Sequence, residues 1–141
     1  MAKYLMIGQG SIGKPLAIRL AKSYTVKTVA RRLHDYGTLA EDIHFLQKDA
    51  KTLTLDDVKD TTHLAIIITP SNIGRASALD YQKSYLAVCQ HIVDLANQSH
   101  EWGQKLKQVL FVSSTSVYGQ NQGEWIDETM PALPTTNTAK V

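Results

Sequence analysis

The sequence is poor in the residues that cross-link a protein or anchor it in a membrane. It has one cysteine, Cys89, among 141 residues, which excludes an internal disulfide, and its apolar helical setting predicts a buried thiol. The longest apolar run, residues 64–68, is too short to span a bilayer, and no apolar segment follows a basic start at the N-terminus. The five histidines are scattered and no Cys-x-x-Cys occurs, so no metal site is predicted. Together these absences favour a protein of the reducing cytoplasm.

The chain also lacks a strong charge of either sign. Lys plus Arg total 15 against 13 for Asp plus Glu, a net charge of +2. Such a balance gives no reason to predict nucleic acid or an anionic membrane as a partner. With 43% hydrophobic and 20% charged residues, the composition is that of one globular domain, which we place over residues 1–141.

The most informative stretch is glycine-rich. Gly8-x-Gly10-Ser11-Ile12-Gly13 follows an apolar run at 4–7, predicted to be a strand, and opens a helical pattern predicted over about 11–23. In this setting Gly8 would form the tight turn, Gly10 would let a pyrophosphate approach the backbone, and Gly13 would allow the helix to pack on the strand. The N–H groups of the helix N-terminus would hold the phosphates. We therefore predict a dinucleotide-binding site formed by Gly8, Gly10, Ser11, Ile12 and Gly13.

Strands and helices alternate along the rest of the chain. Further strands are predicted at 25–30, 43–46, 63–69 and 108–114, and helices at about 54–58 and 78–98. This alternation implies right-handed crossovers and a doubly wound parallel sheet of the α/β class, the Rossmann fold.

The helix predicted at 78–98 is apolar on two faces. Tyr85, Cys89, Ile92 and Ala96 recur at helical spacing, and Leu79, Leu86 and Val93 form a neighbouring stripe. One face would cover the sheet. The other would be covered either by a second subunit, giving a homodimer through this helix, or by another part of the same chain.

The residues at the end of the second strand predict the type of nucleotide. An NAD site usually has an Asp or Glu there to bind the ribose hydroxyls, whereas this chain has Arg31 and Arg32. Guanidinium groups bind a 2′-phosphate that a carboxylate would repel, so NADP is favoured and NAD is less favoured. The alternatives are that Asp35 in the following loop serves NAD, or that both arginines are simply solvated.

Other predicted cofactor contacts lie at neighbouring strand ends. Asp49 follows the third strand and could accept a hydrogen bond from the adenine amino group, or could be an ordinary loop aspartate. Thr69 and Pro70 end the fourth strand. In doubly wound folds the ligand lies at the carboxyl ends of the strands, where all these residues are expected.

The segment 111–119, Phe-Val-Ser-Ser-Thr-Ser-Val-Tyr-Gly, resembles the fifth-strand signature of extended short-chain dehydrogenases/reductases, the NAD-dependent epimerase/dehydratase family. Asp127-Glu128-Thr129-Met130-Pro131 and Pro134 resemble the loop before that family's catalytic helix. The resemblance implies that Ser114 is the catalytic hydroxyl, which would bond a substrate carbonyl or hydroxyl during hydride transfer. It also implies that Lys140 takes the place of the lysine in the family's Tyr-x-x-x-Lys motif.

Two features depart from the family pattern. The glycine loop is one residue shorter than usual, as in atypical members, and Thr136 stands where the tyrosine is expected. A threonine hydroxyl is a much poorer acid than a phenol with a pKa of about 10. The chain also ends at Val141, where the family's catalytic helix would begin, so we expect a truncated product without the substrate-binding part, marginally stable or self-associating.

Three functional interpretations follow. The first is the nucleotide-binding part of an NADP-dependent epimerase, dehydratase or reductase with an unknown small-molecule substrate. The second is a non-catalytic NADP-sensing or partner-binding module. The third, a hydroxyacid-type dehydrogenase, suits the glycine loop but not the segment from Ser114 to Gly119.

Overall fold

Five parallel strands form a single sheet. The computed structural model describes residues 1–39, 41–70 and 74–141. The strands are β1 (Lys3–Ile7), β2 (Thr25–Ala30), β3 (Ile43–Gln47), β4 (His63–Ile66) and β5 (Gln108–Phe111). Their order across the sheet is β3-β2-β1-β4-β5, with every neighbouring pair parallel. The predicted doubly wound α/β fold is therefore confirmed, with β1 at the centre and the order typical of a dinucleotide-binding fold.

Helices connect the strands. They are α1 (Gly13–Ala21), α2 (Leu55–Val58), α3 (Ala78–Tyr81), α4 (Ala87–Gln98) and α5 (His100–Lys105), with a π-helical segment (Gln82–Leu86) between α3 and α4 and short 3-10 turns at Gly37–Leu39, Ala50–Thr52 and Thr115–Val117. Local sequence explains two of the helix starts. Thr54 and Asp57 form a reciprocal capping box on α2, and Ser77 and Asp80 form another on α3.

Both faces of the sheet are covered. On one face α1 packs through Ala17 onto Met6, Val26 and Ala65. The larger cluster on the other face joins β1, β4 and α4 with α5, whose Trp102 is 1% exposed. Trp102 also donates its indole N–H to the carbonyl of Thr61 at 3.3 Å. The buried tryptophan thus satisfies its one polar group while closing the core.

Several elements differ from the sequence expectation. The helix predicted at 78–98 contains a π segment in place of uniform α-helix, and α5 was not predicted. β4 and β5 end earlier than expected, at Ile66 and Phe111. Cys89 is only half-buried, although burial raises the pKa of its thiol.

Part of the apolar surface is not covered by the described chain. The stripe Leu79, Leu86 and Val93 is 54%, 51% and 50% exposed, and all of β5 is exposed at the edge of the sheet. Of the two tryptophans, Trp102 is buried in the core and Trp125 is 94% exposed. Within residues 1–39, 41–70 and 74–141, therefore, no other segment buries the second face of the long helix, the continuous helical stretch formed by α3, the π segment and α4.

Candidate functional site

The glycine loop joins the central strand β1 to α1, and at two of its positions there is no room for a side chain. Gly8 has φ +94°, and a Cβ there would lie 2.0 Å from the carbonyl oxygen of Ile67 on the neighbouring chain segment. A Cβ on Gly13 would lie 2.1 Å from the carbonyl oxygen of Gly8. These two glycines therefore allow the tight turn and the close helix–strand contact that the motif requires.

The loop residues from Gly10 to Ile12 face open space. A Cβ built on Gly10 meets no atom within 4 Å. Gly10, Ser11 and Ile12 are exposed, and α1 begins at Gly13 with no acidic residue in its first turn. The N-terminus of α1 is thus accessible, and no carboxylate in its first turn offsets the positive end of the helix dipole. In this arrangement the helix N–H groups can donate hydrogen bonds to an anion.

A buried polar network, which the sequence analysis missed, lies under the loop. The Gln9 side chain, 4% exposed, donates from Nε2 to the Gly8 carbonyl at 2.8 Å. The Tyr36 hydroxyl lies 2.8 Å from Gln9 Oε1 and 2.9 Å from the Thr28 hydroxyl on β2. Burial raises the pKa of Tyr36 despite the opposing effect of its hydrogen bond with Thr28, so its phenol stays protonated as a donor. The network ties the loop after β1 to β2.

The charged residues after β2 are placed as the sequence suggested. Arg31 and Arg32 directly follow the last residue of the strand and are exposed. The alternative ligand Asp35 is turned toward its own loop, where its Oδ1 accepts the Gly37 N–H at 2.7 Å. Two exposed arginines therefore lie at this corner of the sheet, while one carboxylate oxygen of Asp35 is engaged locally.

The predicted contacts at the next strand ends have local partners of their own. Asp49 caps the 3-10 turn that follows β3, accepting the Lys51 N–H at 2.9 Å. Thr69 is exposed and Pro70 is buried, both beyond the end of β4. Ser71 and Asn72, predicted to break that strand, lie outside the described residues.

Ser114 lines a cleft of about 300 Å³ between β5 and the long helix. Its walls include Tyr81, Tyr85, Cys89 and Phe111, with Tyr85 edge-on to Phe111 at 5.6 Å between ring centroids. Burial, together with the neighbouring Tyr81, raises the pKa of Tyr85. The Ser114 hydroxyl is exposed and accepts only a 3.2 Å bond from the Ser116 N–H.

The C-terminal turn closes the same cleft. Thr138 and Ala139 line it, and the Lys140 N–H bonds the Thr136 carbonyl at 3.2 Å in a single helical turn. The Thr136 hydroxyl accepts the Ala139 N–H at 3.3 Å, as an N-cap does. The structure thus brings Ser114 and this turn to one cleft, whereas Lys140 is exposed and is not among the residues that line it.

The described residues offer neither a metal-binding cluster nor a membrane-spanning helix. Within the described residues no group of three or more His, Cys, Asp or Glu side chains is arranged to hold a metal ion. No helix in that part of the chain has the length and apolarity needed to cross a membrane.

Solved structures share the fold of this chain over nearly its whole length. The chain is similar to a protein from Methylobacillus flagellatus described as an NAD-dependent epimerase/dehydratase, at 26% identity and a TM-score of 0.67, covering 99% of this chain and 46% of that one. UDP-glucuronic acid 4-epimerase from Bacillus cereus, solved with NAD, is 20% identical with a TM-score of 0.70, covering 98% and 48%. The resemblance to NAD-dependent epimerase/dehydratase proteins is thereby confirmed.

Sequence comparison gives a curated relative. Protein YeeZ of Escherichia coli K12 is 29% identical over 100% of this chain and 50% of its own length. The chain thus spans about half the length of the curated relatives that it matches. No protein-family model matches it.

Proposed function

We propose that residues 1–141 form the dinucleotide-binding domain of a short-chain dehydrogenase/reductase-type epimerase, dehydratase or reductase. The observation that carries the proposal is the glycine loop, with its open N-terminus on α1 and its two contacts that exclude a side chain. A pyrophosphate at this position would receive backbone N–H groups and the positive end of the helix dipole.

We further propose that the cofactor is NADP in preference to NAD. Arg31 and Arg32 lie where a 2′-phosphate would need positive charge, and Asp35 is turned toward Gly37. The solved neighbour from Bacillus cereus carries NAD, so the NADP proposal is supported by the arginines of the present chain and not by that neighbour.

We propose that the reaction takes place in the cleft lined by Ser114, on a small-molecule substrate whose identity is not specified. Ser114 would bond the reacting carbonyl or hydroxyl next to the nicotinamide, and Lys140 would bind the ribose if the turn continues as a helix. Without a tyrosine at position 136, proton transfer requires another donor.

The alternative is a non-catalytic NADP-sensing or partner-binding module. It is favoured by the Thr136 hydroxyl, which already serves as the cap of its own turn.

Titration of the chain with NADPH and NADH tests the binding proposal, using the change in nicotinamide fluorescence. We expect saturable binding of both, with NADPH tighter. Arg31→Glu should weaken NADPH much more than NADH, while Arg19→Glu, in the last turn of α1, serves as a charge-matched control. Equal binding of the two nucleotides would overturn the NADP assignment, and binding of neither would overturn the dinucleotide site.

We also propose a homodimer through the exposed stripe Leu79, Leu86 and Val93. Leu86, at the N-terminal end of α4, and Val93 are seven residues apart and so lie on one side of that helix, while Leu79 lies beyond the π segment. Sedimentation should give a dimer mass at micromolar concentration, and Leu86→Lys should convert it to monomer. A monomeric wild-type chain would contradict this assembly.

In keeping with a single cysteine, we expect the protein to act in the cytoplasm.

A further inference from the structure

Lys14 is a cation at an electrostatically unfavourable position. It follows Gly13 as the second residue of α1, and its N–H bonds the Gly10 carbonyl at 3.1 Å. The positive end of the helix dipole lies here, so a lysine in the first turn costs free energy unless an anion is present. Among the described residues no ion pair includes Lys14.

An aromatic ring holds the lysine in place. Lys14 Nζ lies 5.7 Å from the centroid of the Tyr36 ring, within the range of a cation–π contact. The other end of that ring is fixed by the bonds of its hydroxyl to Gln9 and Thr28. The ammonium is therefore positioned by the network that fixes the glycine loop.

The contacts of Tyr36 show on which side of α1 the ammonium lies. Tyr36 bonds Thr28 on β2 and approaches Phe45 on β3 at 5.9 Å between centroids. Lys14 thus lies on the β2 side of α1. Thr28 is two residues before the end of β2, so Arg31 starts about 10 Å farther along the chain at most.

We infer that Lys14, held on Tyr36, is a third cation of the nucleotide site and binds the 2′-phosphate of NADP from the α1 side, opposite Arg31 and Arg32. This inference rests on the proposed dinucleotide function and deepens it. A phosphate between α1 and the end of β2 would relieve the unfavourable charge in the first turn. It would also contact the lysine without displacing it from the ring. NAD, which has only ribose hydroxyls at this point, would gain nothing from the ammonium.

Isothermal titration of NADPH and NADH into wild type, Lys14→Met and Lys14→Arg tests the inference. Methionine keeps an unbranched stem over the Tyr36 ring but removes the charge. We expect it to weaken NADPH by about tenfold and to leave NADH within about twofold. Arginine should restore most of the preference because it keeps a cation on the ring. The preference should also fall with added salt, more steeply for wild type than for Lys14→Met.

The matched control is Lys22→Met at the other end of α1. Lys22 caps the C-terminus of that helix, about 12 Å away along the axis, and should not change the preference.

The outcomes separate this inference from the proposed function. If wild type prefers NADPH and Lys14→Met keeps that preference in full, the role of Lys14 is overturned while the dinucleotide site stands. If both nucleotides bind equally to wild type, the inference and the NADP assignment are overturned together. If neither binds, the dinucleotide function itself is overturned, and the inference with it.

Discussion

Substitutions in the glycine loop separate the binding site from the scaffold. A Cβ on Gly10 meets no atom within 4 Å, so Gly10→Ala creates no clash. Restricting the unfolded chain should even stabilise the protein by about 0.4–1 kcal/mol. In the complex, however, the methyl group would occupy the space needed by the pyrophosphate. We expect NADPH binding to fall by at least about tenfold, a loss of roughly 1.4 kcal/mol, with no decrease in the melting temperature.

Gly13→Ala is the companion variant, and unlike Gly10→Ala it should lower the stability of the fold. Its Cβ would lie 2.1 Å from the Gly8 carbonyl oxygen, so α1 or the loop must move. Overpacking of this kind costs about 1–3 kcal/mol, which lowers the melting temperature by roughly 3–12 °C for a domain of this size. Binding should fall as well, because the loop is displaced.

Differential scanning calorimetry and NADPH titration on the same preparations give both quantities. Wild-type affinity in Gly10→Ala would refute the placement of the pyrophosphate against this residue. A wild-type melting temperature in Gly13→Ala would refute the close helix–strand contact.

Three further variants test other parts of the account. Tyr36→Phe leaves the buried Gln9 oxygen without its donor, so we expect a loss of about 1–3 kcal/mol in the free energy of unfolding and weaker NADPH binding. Urea denaturation and NADPH titration measure these two effects. The exposed control Tyr24→Phe should show neither. Burial alone would raise the pKa of Asp57, but bonds from Lys48 and Thr54 outweigh it and lower the pKa. Asp57→Asn should therefore cost about 1 kcal/mol at neutral pH, and in urea titrations the difference should shrink as the pH falls through the folded pKa; a difference that grows in acid would contradict this sign. Ser114→Ala should leave NADPH affinity and melting temperature unchanged, because its hydroxyl accepts only one long local bond; a large loss of either would assign Ser114 to cofactor binding or to the scaffold.

The sheet and the glycine loop could be predicted from sequence because their signals are local. Short apolar strands separated by helical segments, together with right-handed crossovers, leave few possible strand orders. The turn at Gly8 and the close contact at Gly13 depend on neighbours within six residues or on the adjacent strand, and the motif encodes both.

The network beneath the loop could not be predicted in the same way. Gln9 and Tyr36 are 27 residues apart, and neither belongs to a motif. A tyrosine in a polar loop gives no sign that its hydroxyl turns inward. The position of Lys14 depends on that same long-range contact, so its role could be inferred only after folding.

The exposed surfaces show a different limit. The two apolar faces of the long helix were evident from periodicity, but the pattern did not indicate what covers each face. The π segment at Gln82–Leu86 was also missed, because five residues are too few for a change of helical period to show in the apolar pattern. Trp125 is exposed, and an isolated aromatic residue in a polar segment carries no periodicity from which its environment could be predicted.

The most direct test of the central claim is to follow backbone amide resonances of the ¹⁵N-labelled chain as NADPH is added. A dinucleotide bound at the N-terminus of α1 should shift the amides of Gly10, Ser11, Ile12 and Gly13 first and furthest, with those of Arg31 and Arg32 shifting alongside. Resonances of β5 and α5 should move little. Saturating shifts confined to other parts of the chain, or no shifts at millimolar NADPH, would contradict a dinucleotide site on this loop.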